Sequence, residues 1–313
     1  MKGIILAGGS GTRMYPTTKI ISKHLLSVYD KPMIYYPLST LMLSGIREIL
    51  IISTTNDLPM YRNLLGDGSK LGLSISYEVQ DKPNGIGEAF LIGEKFINGS
   101  NVALILGDNI LYGKGLSTML RKAIADVENN NSSIIYGYSV KNPKRYGVVE
   151  FDSNKNIVSI EEKPENPKRY GVVEFDSNKH IVSIEEKPDN PKSNFAVIGL
   201  YFYNNKVVEY SKQISPSNRG ELEITDINNL YVKNKEIKVE LLGRGFAWLD
   251  TGTPNSLLSA SNFIQMIEDR QGLKISCIEE IAFRMGFINS NQLTLLIKKL
   301  PESEYKNYIK SIV

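Results

Sequence analysis

A parallel α/β fold is predicted by three features of this sequence. Compact apolar runs alternate with helix-length segments through the first 110 residues. Glycines follow directly on the first of those runs, at Gly8, Gly9 and Gly11. After residue 135 the texture turns to short β-branched and aromatic runs. Alternating strands and helices give a parallel sheet covered on both faces. Right-handed crossovers then bring every strand's C-terminal end to one edge, where ligands bind.

The elements follow in order. Residues 3–7 form a strand that ends in glycines, and 31–45 a helix that Pro37 forces to kink or to start late. Glu48–Ser53 is an isoleucine-rich buried strand. Helix is expected over 60–65, strand over 74–78, helix over 85–96 and a fully buried strand over Val102–Leu106. Strands at 134–140, Gly147–Phe151, 157–160, 197–203 and 238–242 predict an antiparallel or mixed extension of the sheet. From Pro254 helical spacing returns (Leu257, Leu258, Ser261, Phe263, Ile264, Ile267), and the tail to Val313 reads as a helical cap. The expected organisation is an α/β domain over 1–253 with a helical segment, 254–313, packed on it. No low-complexity linker separates the two.

Composition narrows the function. The chain has 313 residues, 42% of them hydrophobic and 23% charged, which suits a sizeable core and excludes general disorder. Thirty-seven basic against 34 acidic residues leave a net charge of +3. That balance argues against a nucleic-acid coat or a polybasic membrane binder, though a local basic pocket is compatible with it. One cysteine, Cys277, excludes an intrachain disulfide and a multi-cysteine zinc site, and fits a reducing cytoplasm. The longest apolar runs are too short to span a bilayer, and the apolar start is too short for a secretory signal.

One feature is unusual. Residues 142–165 and 166–189 are tandem copies that differ only at Asn156/His180 and Glu165/Asp189. A third copy begins at Asn190-Pro191-Lys192 and stops. Two copies do not make a solenoid. Each reads as a hairpin, consistent with an in-frame duplication or with a selected extra hairpin.

Several strings carry chemistry. In Leu6-Ala7-Gly8-Gly9-Ser10-Gly11-Thr12-Arg13 a strand runs into a glycine loop that ends in a hydroxyl and a guanidinium. Such a loop turns successive N–H groups toward phosphate oxygens, and Arg13 adds a planar fork of donors. A dinucleotide fingerprint is poorly matched, because Gly9-x-Gly11-x-x-Met14 lacks the third glycine and no acid closes the Glu48–Ser53 strand. A P-loop fails for want of Gly-Lys-Ser/Thr. Lys23, shortly after the loop, offers a second cation; taken alone, a lysine there is more often a solvated surface residue. Asp108, in Leu106-Gly107-Asp108-Asn109, sits where a buried strand reaches the ligand edge, or else in a solvated turn. Asp250, in Trp248-Leu249-Asp250-Thr251, closes another apolar strand. Two such acids could hold one Mg²⁺ together with substrate phosphates. His24 and His180 complete no His–carboxylate or His–Cys constellation.

Taken together, these strings resemble the sugar-1-phosphate nucleotidylyltransferase family, and within it the thymidylyl-transferring members. The resemblance also rests on Tyr29-Asp30-Lys31-Pro32-Met33-Ile34-Tyr35-Tyr36-Pro37-Leu38, Arg219-Gly220-Glu221-Leu222-Glu223-Ile224-Thr225-Asp226 and Gly243-Arg244-Gly245-Phe246-Ala247-Trp248-Leu249-Asp250-Thr251-Gly252-Thr253. It covers nearly the whole chain except one repeat copy. It implies a Rossmann-like mixed sheet flanked by helices, of the nucleotide-diphospho-sugar transferase type. The implied reaction joins dTTP and glucose 1-phosphate into dTDP-glucose and pyrophosphate, with Mg²⁺, by in-line displacement. UTP, another hexose phosphate, or a non-catalytic nucleotide-binding role are the alternatives.

By the same resemblance Gly8, Gly9, Ser10, Gly11, Thr12, Arg13 and Asp108 hold the nucleotide, and Arg13 and Lys23 are catalytic. Gln80, Pro83 and Gly85 serve the base, and Asp108 and Asp250 hold the metal. Asn109, Tyr146, Gly147, Glu186, Lys187, Val197, Tyr201 and Arg219 serve the sugar phosphate. The partners implied are the two substrates, a downstream dTDP-sugar effector bound away from catalysis, and further copies of the chain in a homotetramer.

The duplication sets Gly147/Glu162/Lys163 against Gly171/Glu186/Lys187. Pairing the first strand of copy one with the second strand of copy two keeps the flanking connections short. It assigns Gly147 together with Glu186 and Lys187. On that expectation Glu186→Ala raises the KM for glucose 1-phosphate far more than Glu162→Ala. A smaller departure is Lys23-His24-Leu25-Leu26-Ser27, where the family has Lys-Gln-Leu-Leu-Pro.

Overall fold

The computed structural model describes residues 1–140 and 195–313, and the backbones of the strands at 147–151, 157–162, 171–175 and 181–186. In chain order, β1 (Lys2–Leu6) leads through three 3-10 turns (Thr12–Met14, Thr17–Lys19, Lys23–Leu25) to the short strands β2 (Ser27–Val28) and β3 (Lys31–Pro32). Next come α1 (Tyr35–Leu43), β4 (Glu48–Ser53), α2 (Leu58–Leu65), β5 (Ser74–Val79), α3 (Glu88–Ile92), α4 (Glu94–Ile97) and β6 (Val102–Leu106). They are followed by β7 (Asn109–Gly113), α5 (Leu116–Asn130), β8 (Ser133–Ser139), β9 (Gly147–Phe151), β10 (Ile157–Glu162), β11 (Gly171–Phe175), β12 (Ile181–Glu186) and β13 (Phe195–Tyr203). The chain continues with α6 (Val207–Gln213), α7 (Ile224–Lys233), β14 (Ile237–Leu242) and β15 (Phe246–Asp250). Helices α8 (Pro254–Gln271), α9 (Ile278–Arg284), α10 (Ser290–Lys299) and α11 (Glu304–Lys310) complete it. The class is mixed α/β, with seven strands in the main sheet.

The chain divides into two compact units. One, here the phosphate unit, comprises residues 2–82, 105–121 and 249–313, so the helices after 254 group with the N-terminal strands. The other, the extension unit, comprises Met1, 83–104 and 122–248.

In the phosphate unit β1 pairs with β4 and β4 with β5, all parallel. Five of the six residues of β4 are buried, as expected of a parallel strand covered on both faces. Helix α1 starts late, at Tyr35, which puts Pro37 in the first turn where no backbone donor is needed. Helix α8 is opened by a Thr253–Ser256 capping box with Pro254 at its first position, and closed by Gly272 at φ +65°.

A second anchor holds α8. The Lys31 ammonium, 1% exposed, is bonded to Asp30 and to Glu268 of α8 at 2.9 Å. Lys274 joins the same two carboxylates. Burial pushes the Asp30 carboxyl up, but the hydrogen bonds from Lys274 and Lys31 outweigh it and hold the group below its ordinary range.

In the extension unit β14 runs parallel to β8, and β13 antiparallel to it. The helix expected over 85–96 is broken into α3 and α4 at Gly93, whose ψ of 2° leaves the helical range. The cross-copy strand pairing expected for the repeats is not found. Gly147 faces Glu162 in one hairpin and Gly171 faces Glu186 in the other. The copies offer the same strand sequences, so side-chain pairing cannot discriminate between the two arrangements. The shorter connection decides, since the longer one adds about 1–2 kcal/mol of closure entropy. Both β9 and β11 lie beside β13, and β12 lies beside α7.

Lys31→Ala, which removes one of the two ammonium groups shared by Asp30 and Glu268, is expected to destabilise the protein by about 1–3 kcal/mol in denaturant unfolding. The acid side has a definite sign. The folded pKa of Asp30 lies below its unfolded value, so its contribution is present above the ordinary carboxylate range and is lost as pH falls through the folded pKa. The stability gap between wild type and Lys274→Met therefore narrows below about pH 4.

Candidate active site

The phosphate unit gathers its chemistry at the strand ends. Gly8 follows β1, Gln80 follows β5, and Gly107-Asp108 follows β6. Ser53 Oγ, at the end of β4, donates to the Ala7 carbonyl at 2.8 Å, and the Ser53 carbonyl accepts from Gln80 N at 2.8 Å. Gln80 is buried, with its side-chain oxygen 3.4 Å from where a Cβ on Gly8 would lie. Gly107 N donates to Leu6 O at 2.9 Å, which sets the Asp108 turn beside the glycine loop.

The loop itself depends on glycine at two places. Gly9 has φ +107°, and Gly11 has φ +58° with Thr18 where a Cβ would go. The Gly11 carbonyl accepts from Met14 N at 2.9 Å and Thr18 Oγ1 at 2.7 Å. Arg13 stands in the turn so formed, exposed.

Lys23 Nζ donates to Asp108 Oδ2 at 2.6 Å, with the two side chains 15% and 13% exposed. The solvated alternatives for both residues are thereby set aside. Buried Asn109 donates to Asp108 Oδ1 at 3.2 Å. Thr251 donates to the Asp108 backbone carbonyl through N at 3.2 Å and Oγ1 at 2.9 Å. Asp250 therefore leaves a segment bonded to the Asp108 turn, and its Oδ1 accepts from Gly252 N at 2.9 Å. Two carboxylates from adjoining backbone suit a hard cation that takes its remaining ligands from phosphates and water, as Mg²⁺ does. Among the described residues no group of three or more His, Cys, Asp and Glu stands ready for a metal.

Sequence reasoning set His24 aside, and the structure places it beneath this cluster. It is 2% exposed, and burial, reinforced by the Lys23 charge, lowers its pKa to about 3. Its adjacency to Lys23 was the available signal. Thr251, fully buried, was missed as well.

In the extension unit Asn84 O accepts from Leu222 N at 2.6 Å, and Leu222 O accepts from Gly87 N at 2.9 Å. This stitches the Pro83–Gly85 string to the one that begins at Arg219. Gly85 has φ +101°, and a Cβ there would meet Leu222 O at 2.4 Å. Arg219 is held by Glu223 through Nε at 3.2 Å and Nη2 at 2.7 Å, and by Glu221 at 3.3 Å. Val197 and Tyr201 are buried on β13, and the pairing with β8 slips register between them, around Gly199. Such irregularities re-aim side chains next to binding sites. Gly147 opens β9 and Glu186 ends β12, while Tyr146 and Lys187 lie outside the described residues.

The family model described as nucleotidyl transferase matches residues 2–169 and 165–266. The chain belongs to the nucleotidyl transferase family. The two matched stretches meet inside the tandem repeat, so each contains one copy. Relatives named glucose-1-phosphate thymidylyltransferase include one from Neisseria meningitidis, 50% identical over 99% of this chain and 98% of its own length. Another, from Mycobacterium tuberculosis, is 49% identical over 100% and 99%. Among solved structures, a candidate glucose-1-phosphate thymidylyltransferase from Bacillus anthracis, with sucrose, superposes at a TM-score of 0.69 and 38% identity, covering 84% of this chain and 94% of its own. A UDP-glucose pyrophosphorylase with UDP-glucose gives 0.67 and 25%, covering 85% and 98%.

Gly85→Ala forces a non-glycine residue into positive φ and against the Leu222 backbone. It is expected to cost about 1–3 kcal/mol in thermal unfolding and to raise the KM for the nucleotide more than that for the sugar phosphate.

Proposed function

We propose that this protein transfers a thymidylyl group from dTTP to α-D-glucose 1-phosphate, releasing pyrophosphate. The relatives named for that activity align over the whole chain. The observation that carries the reading is the Lys23–Asp108 pair at the strand ends, beside a glycine loop that ends in Arg13.

In the proposed reaction an oxygen of the sugar phosphate attacks the α-phosphorus of dTTP in line. The bond from that phosphorus to the oxygen shared with the β-phosphorus breaks, and pyrophosphate leaves. No covalent intermediate with the enzyme forms. Two polyanions must meet, so positioned positive charge and backbone donors supply most of the catalysis. The loop from Gly8 to Arg13 takes the triphosphate. Lys23 stands between the reacting phosphates and offsets the charge of both. Asp108 and Asp250 would hold Mg²⁺, which when bound draws charge from the α-phosphoryl group and the leaving pyrophosphate. Gln80, with Pro83 and Gly85, would read the pyrimidine edge. Asn109, Val197, Tyr201, Arg219 and the repeat residues would receive the glucose phosphate.

The family likeness extends the proposal to a cytoplasmic homotetramer that supplies dTDP-rhamnose or a related deoxysugar. Among the described residues no helix is long and apolar enough to cross a membrane. It also extends to feedback by a downstream dTDP-sugar. A cavity of about 410 Å³ in the phosphate unit, lined by Leu43, Tyr112, Lys274, Glu280 and Arg284 among others, supports that part. It offers the Tyr112 ring for a base, and Lys274 and Arg284, each paired with carboxylates, as the cations a diphosphate would draw on.

With dTTP, Mg²⁺ and glucose 1-phosphate, the protein is expected to release pyrophosphate, and to prefer dTTP over UTP in competition. Lys23→Ala is expected to lower kcat by about 100-fold or more. Arg284→Ala is expected to weaken inhibition by a dTDP-deoxysugar several-fold without changing uninhibited kcat.

A further inference from the structure

The His24 imidazole lies where three site-bearing segments meet. One ring neighbour is the Gly107 backbone: a methyl on Gly107 would fall 2.6 Å from Cδ2 and 3.0 Å from Nε2. A second is the Ala7 backbone, at the residue that leads into Gly8, which lies close enough to the ring to favour its charged form against burial. Nδ1 faces a third group, Tyr61 OH and Ser22 Oγ, each at 3.4 Å. Those two hydroxyls are bonded to each other at 2.8 Å, and Tyr61 OH also reaches Ala7 O at 3.4 Å. The His24 carbonyl accepts from Ile34 N at 2.8 Å, which fixes the turn from the other side.

A buried polar ring is retained at a cost unless its nitrogens are satisfied. A neutral imidazole has one donor and one acceptor, enough to engage the Ala7 carbonyl and a hydroxyl together. Its Cδ2 and Nε2 atoms fit against a glycine, which no larger residue at 107 would allow. The residue before it, Lys23, reaches Asp108, and the residue after Gly107 is Asp108 itself. Ala7, Lys23 and Asp108 are thus indexed to one rigid group.

We infer that His24 is a positioning residue: it sets the distance between the glycine loop and the Lys23–Asp108 pair, and so the alignment of the two reacting phosphates. The inference rests on the proposed nucleotidyl transfer. A displacement of the order of 1 Å in such a centre costs about 100-fold in rate with little effect on substrate affinity. A conservative replacement with one acceptor and one donor, of similar reach, preserves the arrangement. An apolar ring of similar size preserves packing alone.

The test compares kinetics and thermal unfolding of wild type, His24→Gln and His24→Phe. His24→Phe is expected to lower kcat by about 10- to 100-fold with both KM values within threefold. His24→Gln is expected to stay within threefold of wild type in kcat. A His24→Phe protein with wild-type kcat overturns the inference. So does a His24→Gln protein as slow as His24→Phe, or a loss confined to KM. Should His24→Phe fail to fold, His24→Met takes its place under the same criteria. A wild type that releases no pyrophosphate from dTTP overturns the functional proposal and this inference with it. An active wild type with an equally active His24→Phe overturns the inference alone.

Discussion

An ammonium and a carboxylate held 2.6 Å apart at the end of β6 are the contact on which the rest of this site depends. A centre that joins two phosphate groups needs positive charge fixed in place before the substrates arrive. An isolated, largely buried lysine would be costly to keep charged, and an isolated aspartate likewise. Paired, each holds the other in position. Around them every constraint is local. Asn109 holds one carboxylate oxygen, Thr251 ties the Asp108 backbone to the Asp250 segment, and Gly107 binds the end of β1.

Much of this was legible in the sequence because it follows from strand periodicity. Glu48–Ser53 and Val102–Leu106 fall where their apolar runs place them, since a parallel strand buried on both faces has few other ways to satisfy itself. Once those strands are parallel, Gly8, Gln80 and Asp108 must share one edge. The less legible parts depend on partners distant in sequence. Nothing in Lys23-His24 announces that the imidazole will be buried against Gly107. Helix periodicity over 85–96 overrode the weak signal of Gly93, which divides α3 from α4. Gly199 inside β13 was the only hint of the register slip between Val197 and Tyr201.

The tandem repeat shows what strand composition leaves undetermined. Identical strands make two pairings equal in side-chain contacts, so loop length becomes the arbiter. Local hairpins result, with Gly147 opposite Glu162 and Gly171 opposite Glu186. Of the residues proposed to receive the sugar phosphate, those in the repeat therefore exist in duplicate, while Asn109, Val197, Tyr201 and Arg219 occur once. The polyphosphate machinery lies outside the repeat and is present once. The duplicated segment lies outside the Lys23–Asp108 pair and the glycine loop.

The most direct measure of whether Lys23 and Asp108 operate as one unit is a double-mutant cycle on kcat with Lys23→Met and Asp108→Asn. Groups that share a single centre are strongly non-additive, so the double variant is predicted to be no more than about tenfold slower than the slower single one. Losses that multiply in full would show two independent contributions and contradict the account.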